Sequence, residues 1–110
     1  MPTYLFELSY TSESIAAQIK KPQDRLKTAA IPALEAAGGT LLGGGFSLGD
    51  QDVVILYDAP NDQTAAALNH VVSAGGSVKS VKTTKLLSGS QWTSALRKAG
   101  KIASAYKPAK

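Results

Sequence analysis

From Thr3 to Tyr10 the chain alternates: Tyr4, Phe6, Leu8 and Tyr10 share one side, and Thr3, Leu5, Glu7 and Ser9 share the other. A period of two residues predicts a strand. Between Asp52 and Asp58 the run Val53-Val54-Ile55-Leu56-Tyr57 is apolar on both sides, so this strand is predicted to be covered on both faces. Gly49-Asp50 ahead of it predicts a hairpin turn, which makes Thr40 to Phe46 the partner strand. Gly43-Gly44-Gly45 weakens that partner. A fourth strand is predicted from Val78 to Leu87, where Val and Thr interleave with lysines as at a sheet edge.

Helical signals fill the gaps. Thr11-Ser12-Glu13-Ser14 carries N-cap chemistry and predicts a short helical turn with Ile15 and Ile19 inward. Pro22 suits the first turn of the next helix, predicted to reach about Ala37 with Leu26, Ala30, Ala33, Leu34 and Ala37 as its buried stripe. Pro32 should kink or restart it, and Gly38-Gly39 should end it as a left-handed cap. Pro60-Asn61-Asp62 opens a helix to about Ala74, with Ala65, Leu68, Val71 and Val72 inward. Beyond Ser88-Gly89-Ser90, Trp92, Ala95, Leu96, Ala99, Ile102, Ala103 and Tyr106 recur at helical spacing, so a final helix is predicted over about 90–106.

The order β-α-β-β-α-β is the split pattern of an α+β, ferredoxin-like protomer, here with an extra C-terminal helix. One domain spans 1–110, with its core over about 2–88. In this topology the first and third strands are central, and they are the two with apolar residues on both faces. Two helices cover only one face. The other keeps Val53, Ile55 and Tyr57, or their alternates, at a cost of about 25 cal/mol per Å² left wet. The expected cover is a second copy packed sheet to sheet, giving a homodimer in the form of a dimeric α/β barrel.

Composition narrows the chemistry. Hydrophobic residues make up 44% of the 110, an ordinary globular share, and no cysteine excludes disulfides and thiolate metal sites. No apolar run is long enough to span a membrane, and Met1-Pro2-Thr3-Tyr4 leads directly into a strand pattern, so a cytoplasmic protein is expected. The net charge of +4 is lopsided. Up to Gly76 eight acidic residues outnumber four basic ones, and from Ser77 onward there are eight basic residues and no acidic one. The preferred reading is a solvated edge and helix face that meet the acidic part of the molecule or of a second subunit.

Against this frame the chain resembles the GYD-domain family, small dimeric α/β-barrel proteins with a ferredoxin-like protomer, over about residues 2 to 90. The resemblance rests on Pro2-Thr3-Tyr4 with Tyr10-Thr11, on Pro22-Gln23-Asp24-Arg25-Leu26, and on Glu35 with Gly38-Gly39. Above all it rests on Leu48-Gly49-Asp50-Gln51-Asp52-Val53-Val54 followed by Ala59-Pro60-Asn61-Asp62. Gln51 stands where the naming motif usually has tyrosine. The resemblance implies architecture and dimerisation, not a reaction; cofactor-free monooxygenases, haem-degrading enzymes and stress-response barrels in the wider superfamily are analogies of fold only.

Each candidate site carries two readings. Glu7, mid-strand beside Leu5 and Ser9, could serve as a base or orient a ligand; pairing with a lysine of the fourth strand is preferred. Asp50 and Asp52 could bridge a cation, but Gly-Asp-Gln-Asp is ordinary turn chemistry and no metal is expected. His70, the only histidine, falls opposite the buried stripe of its helix and should face solvent. Gly43-Gly45 lacks the lysine-serine of a phosphate loop and reads as a bulge or a close backbone approach. Tyr4, Phe6, Tyr10, Tyr57 and Trp92 are core residues first and pocket walls second.

No nucleophile, base and orienting group assemble from these residues, so the leading expectation is a ligand-binding or assembly protein without a cofactor. The runner-up is a cofactor-free enzyme for a small hydrophobic metabolite, with Glu7 and Tyr57 as polar groups and Tyr4 or Phe6 as walls. A third, weaker reading binds anions or nucleic acid through Lys79, Lys82, Lys85, Arg97, Lys98 and Lys101. Nucleic acid is disfavoured as a partner because few aromatics interleave with these charges.

Overall fold

The computed structural model describes residues 1–109. Strand β1 is Thr3–Tyr10, β2 Thr40–Phe46, β3 Val53–Asp58 and β4 Val78–Leu86. They form one antiparallel sheet in the order β2-β3-β1-β4. The two strands apolar on both sides are therefore the central pair, as their pattern requires. Register sets Tyr4 opposite Tyr57 and Phe6 opposite Ile55.

Helix α1 spans Ser12–Lys20, α2 Ile31–Ala36, α3 Asp62–Ala74 and α4 Gly89–Ile102. Leu34 of α2 and Ala65 of α3 bury against Tyr4, Phe6, Leu8, Val53, Ile55 and Tyr57, with Leu26, Leu68 and Val72 packed around them. The helices thus settle which face of β3 is inside. Val53, Ile55 and Tyr57 lie beneath them, while their alternates Val54 and Leu56 lie on the uncovered face with Leu5 and Glu7.

Local chemistry explains the element ends. The Thr11 hydroxyl accepts from the Ser14 N–H at 3.1 Å and starts α1. Asn61 Oδ1 accepts from the Thr64 N–H at 2.9 Å and starts α3. Gly38, at φ 76°, ends α2 in the left-handed region. β2 bulges between Leu41 and Gly43. There Gly44 sits at φ 114°, and a Cβ would collide with the Val54 carbonyl oxygen and approach the Ile55 Cα to 2.6 Å. The glycine run is a bulge held against the neighbouring backbone.

Three expectations are corrected. The second helix does not begin at Pro22. Asp24 begins it, its side chain accepting from the Leu26 N–H at 3.0 Å and its carbonyl from the Thr28 N–H at 3.0 Å. Pro32 restarts the helix as expected: the turn before it, Leu26–Ala30, widens to a π-helix in which the Ile31 N–H donates to the Leu26 carbonyl, and α2 opens at Ile31 with Pro32 in its first turn. That spacing accommodates a proline ring that would otherwise strike the carbonyl four residues back. The segment after β1 is a nine-residue helix and not a single turn, and its Ile15 and Ile19 are exposed. Val71 is exposed also, at the lip of α3 and not beneath it.

The apolar stripe of α4 is left uncovered by the rest of the chain. Every residue of α4 is exposed, including Trp92, Leu96 and Ile102. A Ser88 capping box with Gln91 sustains the helix locally. The helix stands off the body, giving extents of 60 × 35 × 23 Å and a radius of gyration of 17.7 Å. A compact chain of this length would measure about 13 Å.

Candidate functional site

Between the sheet and its helices lies an apolar cavity of about 260 Å³. Phe6, Leu8, Val53, Ile55 and Tyr57 form its floor, and Ala30, Ala33, Leu34, Leu68 and Val72 its roof. The small side chains of the π-turn and α2 leave this space: alanines fill less of the gap over β1 and β3 than larger residues would. Phe46, Tyr10 and Arg25 also line it.

One charged side chain, Arg25, breaks the apolar lining, and one orphan hydroxyl, that of Tyr57, is closed off behind it. Tyr57 is 1% exposed, its ring stacked on Tyr4 at 5.4 Å and edge-on to Phe6 at 6.5 Å. Its hydroxyl is buried without a hydrogen-bond partner in the protein, and burial raises its pKa. Arg25 is half-buried beside Tyr10. Burial raises the Tyr10 phenol, and the neighbouring guanidinium pulls the other way. Lys85–Asp62 is the one ion pair among the described residues, so Arg25 lines the cavity without a carboxylate of its own.

The Gly49-Asp50-Gln51-Asp52 turn positions this end of the cavity. The Asp52 side chain accepts from the Tyr10 N–H at 2.8 Å, and the Asp52 N–H donates to the Leu8 carbonyl at 2.8 Å. The Ser9 hydroxyl lies 3.2 Å from the Asp50 carbonyl oxygen and 3.1 Å from Gln51 Oε1, two acceptors that share its one proton. The motif therefore fastens the β2–β3 hairpin to the end of β1, next to Tyr10. No group of three potential metal ligands occurs among the described residues.

At the opposite end the Tyr4 hydroxyl donates to Asp62 Oδ1 at 2.6 Å, and Lys85 Nζ lies 3.0 Å from the same carboxylate oxygen. Burial and then this bond push the Tyr4 pKa up to about 12. The hydrogen bonds from Tyr4 and then Lys85 hold the Asp62 carboxyl below the usual carboxylate range. The arrangement ties the first turn of α3 to β1 and β4.

The sequence candidates fall into separate places. Tyr4, Phe6 and Tyr57 come together under the helices. Glu7 lies on the other face, opposite Val54 and Lys82, without an ion pair to that lysine. One chain therefore cannot present Glu7 and Tyr57 to one substrate, which corrects the catalytic pairing. His70 is exposed. The basic residues do not form one patch: Lys85 is tied to Asp62, Lys82 is on the open face, and Arg97, Lys98 and Lys101 ride on α4. Lys79 is exposed near the start of β4. Arg25 is the residue that sequence reasoning missed. Its one signal is a position just ahead of Leu26, the first residue of the buried stripe, and that signal is weak without the helix docked.

No helix among the described residues is long and apolar enough to cross a membrane. None of the curated proteins matches the chain. Solved structures with a similar fold include a protein from Agrobacterium tumefaciens, 14% identical, covering 79% of this chain and 92% of that one at a TM-score of 0.50. An uncharacterized NIPSNAP domain protein from Burkholderia xenovorans is 11% identical, covering 81% and 95% at a TM-score of 0.50. At such identities the likeness is one of fold. The family model of the GYD domain matches residues 4–96, which takes in the sheet, the cavity and the turn that braces it, and the chain belongs to the GYD-domain family.

Proposed function

We propose that this protein is a binding module that holds a small apolar ligand between its sheet and helices. The observation that carries this reading is the apolar cavity of about 260 Å³. The space is open to solvent at its mouth and its accessible lining is mostly apolar, so an apolar occupant that takes this surface out of water is favoured. The cavity lies below the roughly 300–1,000 Å³ of sites for drug-sized molecules, which points to a smaller ligand. The enzyme reading is not supported in one protomer, because Glu7 is separated from the cavity by the sheet.

Toluene in thermal melts tests the cavity. It should raise the melting temperature of the wild-type protein and leave that of Ala30→Phe, whose new ring fills the space, unchanged. A wild-type melt indifferent to toluene and to every other small apolar probe defeats the reading.

A specific observation also favours self-association. The open sheet face carries Leu5, Val54 and Leu56, with Leu42 and Leu86 exposed on its flanking strands, and the α4 stripe is bare. Exposed apolar surface on this scale marks interaction sites. A second copy offers matching chemistry: an apolar sheet face of its own, and a residue 1–76 region whose excess of acid complements the basic α4. Light scattering at micromolar concentration should give a dimer mass for wild type and a monomer mass for Leu56→Asp. A monomeric wild type contradicts the pairing.

A further inference from the structure

We infer that the cavity selects a small apolar acid: a carboxylate held by Arg25 beside Tyr10, and an apolar body over Phe6 and Ile55. This rests on the ligand-binding reading and adds the chemical class.

Two features converge. The first is a half-buried guanidinium in the cavity wall with no carboxylate partner among the described residues. The nearby acids are otherwise engaged: the Asp24 side chain accepts from the Leu26 N–H, and Asp52 accepts from the Tyr10 N–H. A guanidinium in an apolar wall favours a planar anion, because two parallel N–H donors match the two oxygens of a carboxylate. The second is the Tyr10 phenol alongside Arg25, a further donor for the same anion. The walls between are apolar and include Phe6, Phe46 and the Tyr57 ring, which suits a flat, ring-bearing body.

Calorimetric titration with 4-hydroxybenzoate and the uncharged 4-hydroxybenzamide separates the contributions. Wild type should bind 4-hydroxybenzoate about tenfold or more tightly than 4-hydroxybenzamide, the range expected of a charge-assisted bidentate contact. Arg25→Gln should erase that preference while leaving the amide within about threefold of its wild-type affinity. Circular dichroism of each variant confirms that the fold is kept, and Arg25→Lys, which retains a point charge, should recover part of the preference. Equal wild-type affinity for acid and amide, or a preference that survives in Arg25→Gln, overturns the inference. Toluene binding without acid preference removes this inference alone. Failure of both toluene and the acids removes the cavity reading with it.

Discussion

Two tyrosines stacked on each other invite the same substitution with opposite outcomes. Tyr4 and Tyr57 are both essentially buried, at 2% and 1% exposure. The Tyr4 hydroxyl donates to a carboxylate at 2.6 Å, whereas the Tyr57 hydroxyl has no protein partner. A hydrogen bond to a charged group contributes about 1.5–3 kcal/mol, and Asp62 is open enough to water to place this one at the low end. Tyr4→Phe should therefore cost about 1.5 kcal/mol. A buried hydroxyl without a partner costs about 1–3 kcal/mol in desolvation, and removing it recovers that, less the contacts its oxygen made. Tyr57→Phe should stabilise the ligand-free protein by about 1 kcal/mol. The two variants should thus lie about 2.5 kcal/mol apart, or roughly 10 °C in melting temperature for a chain of this size. Urea unfolding of ligand-free protein at pH 7 gives both numbers, and an unchanged m-value confirms that stability alone has moved. A Tyr57→Phe protein less stable than wild type by about 1 kcal/mol or more would show the hydroxyl to be well hydrogen-bonded, and its orphan status would fall.

Other consequences are as direct. Gly44→Ala forces a side chain onto a φ of 114° and into the β3 backbone, so it should lose at least about 2 kcal/mol in the same urea assay, while Gly43→Ala, whose Cβ meets nothing within 4 Å, should lose much less. Stability should fall in two pH windows. The Asp62 carboxyl lies below its ordinary 3.8, so its contribution is complete above that value and is lost as pH falls through the folded pKa. The Tyr4 phenol lies at about 12 against an ordinary 10.0, so its contribution is complete below pH 10 and is lost as pH rises toward 12. Tyr4→Phe should flatten the alkaline limb of a pH-melting profile, and an unflattened limb would assign it elsewhere. Truncation after Leu87 should leave the unfolding midpoint unchanged at concentrations where the chain is monomeric, because α4 is bare; a large drop there would show that α4 packs on its own body.

The alternation of Tyr4, Phe6 and Leu8 and the doubly apolar run from Val53 to Tyr57 were sufficient to name the central strands, since a strand's two faces are written in its own period. The cap at Gly38 and the bulge at Gly44 were also legible, because left-handed backbone selects glycine wherever it occurs. The candidate site was legible only in part. Phe6 and Tyr57 were visible as aromatics with reach, but nothing local distinguishes a tyrosine whose hydroxyl finds a carboxylate 58 residues away from one whose hydroxyl finds none. Arg25 reads as a surface cation until the widened turn at Leu26–Ala30 seats it at the cavity.

The chain by itself therefore determined the order of its elements, the centre of its sheet and the places where only glycine fits, all of which depend on neighbours within a few residues. Tertiary structure alone decided that Tyr57 joins Tyr4 while Glu7 faces away, that the helices leave a cavity over the central strands, and that α4 stands clear of the body. These depend on register between strands and on which helix covers which face, and both are settled by contacts between residues far apart in sequence.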